Sequence, residues 1–211
     1  FPFHFWAPDV YENAANQVTT YIATASKVAA IAILMRIVAL SGSGSTYLVH
    51  VMVMLSIASM TLGNLAAIVQ KDIKRLLAYS SVAQIGYILL GIGLASALGV
   101  TASVLHMFNH ALMKGALFMA VGALVYRIGS SHIVHFNGVG RQMPWTFAAL
   151  VLASLSLIGV PGTAGFISKW YLIVALMEHE ALRVPLIASV LVSSLMALAY
   201  LWRVVEAAWF G

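Results

Sequence analysis

Several stretches of this chain run for about twenty or more residues with hardly a charge, the length a helix needs to cross a bilayer. In hydrocarbon every backbone N–H and C=O must be satisfied within the protein, so such stretches fold as helices. They run 18–40, 47–70, 75–97, 101–127, 145–177 and 184–209. A mean hydropathy of +0.98 with 8% charged residues excludes an ordinary soluble domain, whose charged fraction is about a quarter. The expected fold class is all-α: a polytopic transmembrane helix bundle of about six spans, one of them broken.

The broken span is the fifth. It is too long for one straight crossing, and Gly159-Val160-Pro161-Gly162-Thr163-Ala164-Gly165 weakens its hydrogen-bond ladder. Two half-helices are expected, their freed backbone groups met by buried protein or a water-filled cavity. The alternative is a short interfacial helix followed by an ordinary span.

If the residues before Val18 lie on side A, then Lys71, Lys74, Arg75, Arg127, Arg141 and Arg203 fall towards side A, and only Arg36 and Arg183 towards side B. The positive-inside rule then makes side A cytoplasmic. The longest connection, 128–144, carries His132, His135 and Arg141 on that face, and Tyr47, Tyr126, Trp145, Trp202 and Trp209 suit an interfacial aromatic belt. The net charge of +5 is small and dispersed, which fits topology and sets nucleic acid aside. The chain has no cysteine, which removes thiolate-held zinc, iron–sulfur clusters and disulfides; no cofactor is expected in it. Residues 1–211 read as a single transmembrane domain. The chain opens at Phe1 without methionine or a signal peptide, and a fragment truncated at the N-terminus is expected.

Lys27, Lys114 and Lys169 lie well inside apolar stretches, where an ionisable group costs at least about 2.5–3.5 kcal/mol on insertion scales. Lys27 falls near the bilayer midplane, where low dielectric disfavours a charge and brings a proton within reach of transfer. A structural lysine bonded to carbonyls or a carboxylate is the plain alternative. His106, His110 and Lys114 recur at i, i+4 and i+8 and share one helix face, a spacing that lets imidazoles pass a proton through water to an amine. Asn109 and Asn64 are polar candidates nearby. The two histidines are also half a metal site, but no Asp or Glu on the helix completes it, and no metal is expected. A hydrogen-bonded structural cluster is the other reading. Lys169 follows the break in Gly165-Phe166-Ile167-Ser168-Lys169, where unwound backbone admits water and suits a gate; an interfacial lysine is the alternative. Among the remaining charges, Arg203 and Glu206 have the i, i+3 spacing of a pair, Asp9 and Glu12 are placed to cap the first span, and Glu178, His179 and Glu180 mark side B.

Pro2-Phe3-His4-Phe5-Trp6-Ala7-Pro8-Asp9-Val10-Tyr11-Glu12 resembles the stretch after the broken seventh helix in antiporter-like membrane subunits of respiratory complex I, NADH:quinone oxidoreductase. Ala25-Ser26-Lys27 is similar to that family's eighth-helix lysine. Gln70-Lys71-Asp72-Ile73-Lys74-Arg75-Leu76-Leu77-Ala78-Tyr79-Ser80-Ser81 looks like its signature loop and tenth-helix start. His106-Met107-Phe108-Asn109-His110 with Lys114 resembles its eleventh helix, and 159–169 its broken twelfth with the distal lysine. The Pro-Asp-Val-Tyr and Ser-Lys motifs resemble the quinone-proximal subunit. The histidines resemble the other antiporter-like subunits and their relatives in Mrp-type cation/proton antiporters and membrane-bound hydrogenases.

The resemblance implies a fragment of a larger antiporter-like subunit that translocates protons. The relay would be Lys27, His106, His110, Lys114 and Lys169, coupled to redox chemistry in other subunits of a multisubunit respiratory complex. It also implies an integral protein of a bacterial inner or plasma membrane, and an upstream lysine and glutamate. A subunit of an Mrp-type Na+/H+ antiporter or membrane-bound hydrogenase remains open, with sodium as a possible ion. So does a scaffold whose buried charges only hold helices together.

Overall fold

The computed structural model describes residues 4–40, 46–178 and 182–210. A short helix α1 (Trp6–Asn13) precedes α2 (Asn16–Tyr21), which passes through a π-helical turn (Ile22–Ser26) into α3 (Lys27–Leu40) as one rod. Then follow α4 (Thr46–Ile68), α5 (Ile73–Gly93), α6 (Ala97–Ile128), a 3-10 turn (Ile133–Phe136) and α7 (Val139–Gln142). The chain ends with α8 (Pro144–Ile158), α9 (Ala164–Met177) and α10 (Arg183–Phe210). Among the described residues five helical stretches are long and apolar enough to span a membrane, and the shorter apolar α8 and α9 stand where the broken fifth span is expected.

Caps set the ends that hydropathy placed only roughly. The Asp72 carboxylate accepts from the backbone N–H of Lys74 and Arg75, so α5 starts at Ile73. Ser96 Oγ accepts from Gly99 N–H, which starts α6 at Ala97, four residues before the expected Thr101, and α5 stops at Gly93. The break in the fifth span is real: Gly159 ends α8 at φ 90°, Gly162 repeats that angle, and Thr163 caps α9 by accepting from Phe166 N–H. Both glycines take left-handed backbone that other residues enter only with strain.

α5 is the axis of the bundle, with nearly every residue buried, wrapped by α1, α4, α6, α9 and α10. It packs tightly on α4. A methyl added at Gly63 would lie 2.7 Å from Ala83 N, and one at Gly86 2.8 Å from Ser56 O. The 128–144 connection is docked: Ile73 N–H donates to Ser131 O and Ile133 N–H to Lys71 O, while Ser131 donates to Asp72. Ile133, Phe136 and Val139 pass into the core, and His132 and His135 stay exposed. The belt residues Tyr47, Tyr126, Trp145, Trp202 and Trp209 are all exposed.

Two charge assignments change. Asp9 and Glu12 do not cap the first span, whose N-cap Ala15 receives no side-chain bond; both carboxylates pair with Arg75, at 2.8 and 2.7 Å. Lys74 Nζ donates to the carbonyls of Glu12 and Ala14, so the two motifs that carry the family likeness are docked on each other. Arg203 turns from Glu206 to the carbonyl of Ile68, an end-of-helix acceptor that needs a partner. His179 and Glu180, with Pro2 and Phe3, lie outside the described residues.

Candidate functional site

The i, i+4, i+8 spacing on α6 puts His106, His110 and Lys114 on one face, where all three are buried, with His106 bonded to α5 and α9 and Lys114 to α5. Lys114 Nζ donates to Leu77 O at 2.8 Å and Ser80 Oγ at 2.6 Å, both on α5. The Ser80 hydroxyl in turn lies 3.0 Å from that same Leu77 carbonyl. Among the described residues His110 Nε2 is buried without a hydrogen-bond partner, and Lys27, Lys114 and His106 lie within electrostatic reach of it.

His106 bridges two helices. Its Nε2 faces Gln84 Oε1 on α5 and its Nδ1 faces Ser168 Oγ on α9, both at 2.9 Å. Gln84 donates through its amide nitrogen to Leu157 O, weakly at 3.5 Å, so its oxygen is the atom turned to the ring and Nε2 carries a proton. Ser168 Oγ also lies 3.1 Å from Gly165 O. With its hydroxyl proton on Nδ1 the imidazole is neutral; with that proton on Gly165 O, Nδ1 can donate instead. One hydroxyl rotation therefore accommodates both protonation states of His106. Both ring nitrogens are engaged here, so His106 does not converge with His110 as a metal-ligand pair, and no cluster of three metal-ligating side chains forms among the described residues.

Lys169 is buried at the break. Its Nζ donates to Leu157 O at 3.0 Å, Ile158 O at 2.8 Å and Ser194 Oγ at 2.9 Å, which uses all three donors of an ammonium. The two carbonyls end α8 and have lost their helical partners, and the helix dipole places negative character there. Leu157 O is thus shared by Lys169 and Gln84, and hydrogen bonds run without interruption from Ser168 through His106 and Gln84 to Lys169 and Ser194.

Lys27 is half-buried, less than its position in the sequence implies, because the rod Asn16–Leu40 is covered along little of its length. It follows the π turn directly, and such turns re-aim the residues after them. Its ammonium lies 5.2 Å from the centroid of Tyr11, whose ring meets Phe118 edge-on at 5.5 Å. Tyr11 is wholly buried with an unpartnered hydroxyl, and burial pushes its phenol well above the ordinary range, so it stays neutral. Asn64 and Asn109 stand aside from these bonds. Asn64 ties α4 to Ser193, and Asn109 donates to Ala164 O at the start of α9.

Neither spacing nor residue type marks out Gln84, Ser194 or Tyr87, and Ser80 and Ser168 stand in motifs that point to other residues. Each is a small polar or aromatic residue of a kind common in packed helices, and several of the acceptors are backbone carbonyls, which have no residue-type signature.

The chain is 46% identical over 209 residues to NADH-quinone oxidoreductase subunit N 2 of Syntrophobacter fumaroxidans, covering 99% of this chain and 44% of that relative. It thus spans less than half the length of the relative it matches. Among solved structures it superposes on the Mrp complex from Dietzia with a TM-score of 0.93 at 30% identity, covering 98% of this chain and 38% of that one. On respiratory complex I from Thermus thermophilus with bound aureothin the TM-score is 0.81 at 31% identity, covering 99% and 45%. One backbone thus serves both kinds of complex. Residues 1–197 match the family described as NADH:quinone oxidoreductase/Mrp antiporter, TM, and the chain belongs to that family of integral membrane proteins.

Proposed function

We propose that this chain is part of the proton-translocating membrane arm of an NADH:quinone oxidoreductase-type complex in a bacterial inner membrane. Redox chemistry takes place in partner subunits, and residues 1–211 act as one transmembrane domain of the longer subunit. Lys27 receives protons from the upstream part of the subunit, His110, Lys114 and His106 pass them laterally, and Lys169 exchanges them with one membrane face. The observation that carries this reading is the unbroken run of hydrogen bonds that joins His106 to Lys169 through Gln84 and the Leu157 carbonyl.

The chemistry needs carriers whose two protonation states are both tolerated, and the rotatable Ser168 hydroxyl supplies that for His106. At Lys114, two acceptors match the two N–H bonds of a neutral amine, and the third N–H of an ammonium finds none among them. Movement of neighbouring charges then biases each carrier, and every tenfold change in its proton affinity corresponds to about 1.4 kcal/mol. The test is Lys169→Met in the complete complex reconstituted into liposomes, with electron transfer and proton translocation measured together. Loss of translocation is expected, and coupled pumping at the wild-type rate overturns the reading.

A second reading, an Mrp-type Na+/H+ antiporter subunit, is favoured by the higher TM-score to the Mrp complex. The 46% identity to a subunit N, against 30% to the Mrp chain, favours the first. Proton translocation driven by a sodium gradient without electron transfer would decide for the second.

A further inference from the structure

Among the described residues, the interior lysines have no carboxylate partner. Among the described residues the ion pairs are those of Arg75 with Asp9 and Glu12, and the acidic residues Asp9, Glu12, Asp72, Glu178 and Glu206 fall at or near helix ends or in connections. Each interior lysine instead has an aromatic ring: Tyr11 for Lys27 at 5.2 Å, Phe118 for Lys114 at 6.0 Å and Tyr87 for Lys169 at 4.6 Å from Nζ to centroid. The Tyr87 contact is the shortest and the most firmly built. Its ring is buried on α5, and its hydroxyl lies 3.4 Å from Val190 O and 3.3 Å from Ser194 Oγ on α10. Ser194 accepts from Lys169, and the Tyr87 ring also lies 5.4 Å from that of His106.

We infer that Tyr87 is a positioning residue for proton transfer, its ring face taking the place of a counter-carboxylate and holding the Lys169 ammonium between His106 and the end of α8. This rests on the reading of Lys169 as a proton carrier. A ring suits that task because its attraction for a cation comes from a fixed quadrupole, which neither titrates nor captures the proton, whereas a carboxylate does both. Among the described residues, the groups facing Lys169 are His106 from α6, Tyr87 from α5, Ser194 from α10 and the α8 carbonyls, and no other charge faces it.

The experiment substitutes position 87 in the assembled complex in liposomes and follows proton translocation. Tyr87→Phe keeps the ring and should remain within about twofold of wild type, while Tyr87→Leu should lose about tenfold. Mono-, di- and trifluorinated phenylalanine at this position keep the shape while withdrawing electron density from the face, so translocation should fall stepwise with each fluorine. A flat fluorine series overturns the inference, as does a Tyr87→Phe defect as deep as that of Tyr87→Leu, which would assign the role to the hydroxyl. If Tyr87→Leu does not assemble, the fluorinated series decides alone. Lys169→Met separates the two levels: when it abolishes translocation and the fluorine series is flat, only the inference fails, and when it has no effect, the underlying reading fails.

Discussion

Gly159→Ala tests whether the break in the fifth span exists to place Lys169. Gly159 sits at φ 90°, and a methyl there would lie 2.9 Å from Lys169 Cδ and 3.5 Å from Nζ. Left-handed backbone costs a residue with a Cβ about 1–2 kcal/mol. The contact adds a second effect, because the lysine stem must move aside and its ammonium then loses one of the two α8 carbonyls, worth about 1.5–3 kcal/mol for a charged donor. Gly162→Ala separates these effects: it has the same φ of 90° and no neighbouring atom within 4 Å, so it carries the backbone strain alone. Thermal unfolding of the purified complex should show both variants weakened, Gly159→Ala the more so by about the value of one such bond. In liposomes, proton translocation should fall at least about tenfold in Gly159→Ala, since about 1.4 kcal/mol is tenfold, and stay within about twofold in Gly162→Ala. Indistinguishable variants would mean that the methyl acts through backbone strain and that the glycine has no bearing on the lysine.

Two further outcomes are expected. Gln84→Leu leaves His106 Nε2 buried without its acceptor and removes the link to Leu157 O; it should destabilise by about 1–3 kcal/mol and slow translocation, and unchanged proton flux would exclude Gln84 from the path. Arg75→Gln removes both ion pairs that fasten α1 to α5, and because these charges are partly exposed the loss should be at most about 1 kcal/mol per pair and should shrink at high ionic strength; a salt-independent melting difference would show that the clasp is not electrostatic.

Features carried by residue type and spacing were legible in advance. The length of the apolar runs foretold the spans, proline and glycines foretold the break, and the four-residue repeat on α6 put two histidines and a lysine on one buried face. What escaped notice depends on contacts across the fold. Asp9 and Glu12 look like local caps until α1 is laid against α5, more than sixty residues away, where Arg75 takes both. Arg203 has Glu206 at pairing distance along its own helix, yet the free carbonyl at the end of α4 is the better acceptor. The partners of the lysines are mostly main-chain oxygens, and the π turn before Lys27 replaces no residue with an unusual one.

The three bonds of Lys169 have a mechanical consequence. An ammonium offers three protons and the site holds three acceptors, two of them the last carbonyls of α8. A neutral amine has only two N–H bonds, so the departing proton must leave one acceptor unheld. If that acceptor is Ile158 O, which Gln84 does not hold, the end of a half-helix is unlatched. On the proposed reading of Lys169 as a proton carrier, the lysine is also a pawl: the loss of a single proton becomes slack at the hinge between two half-helices, and re-protonation takes the slack up.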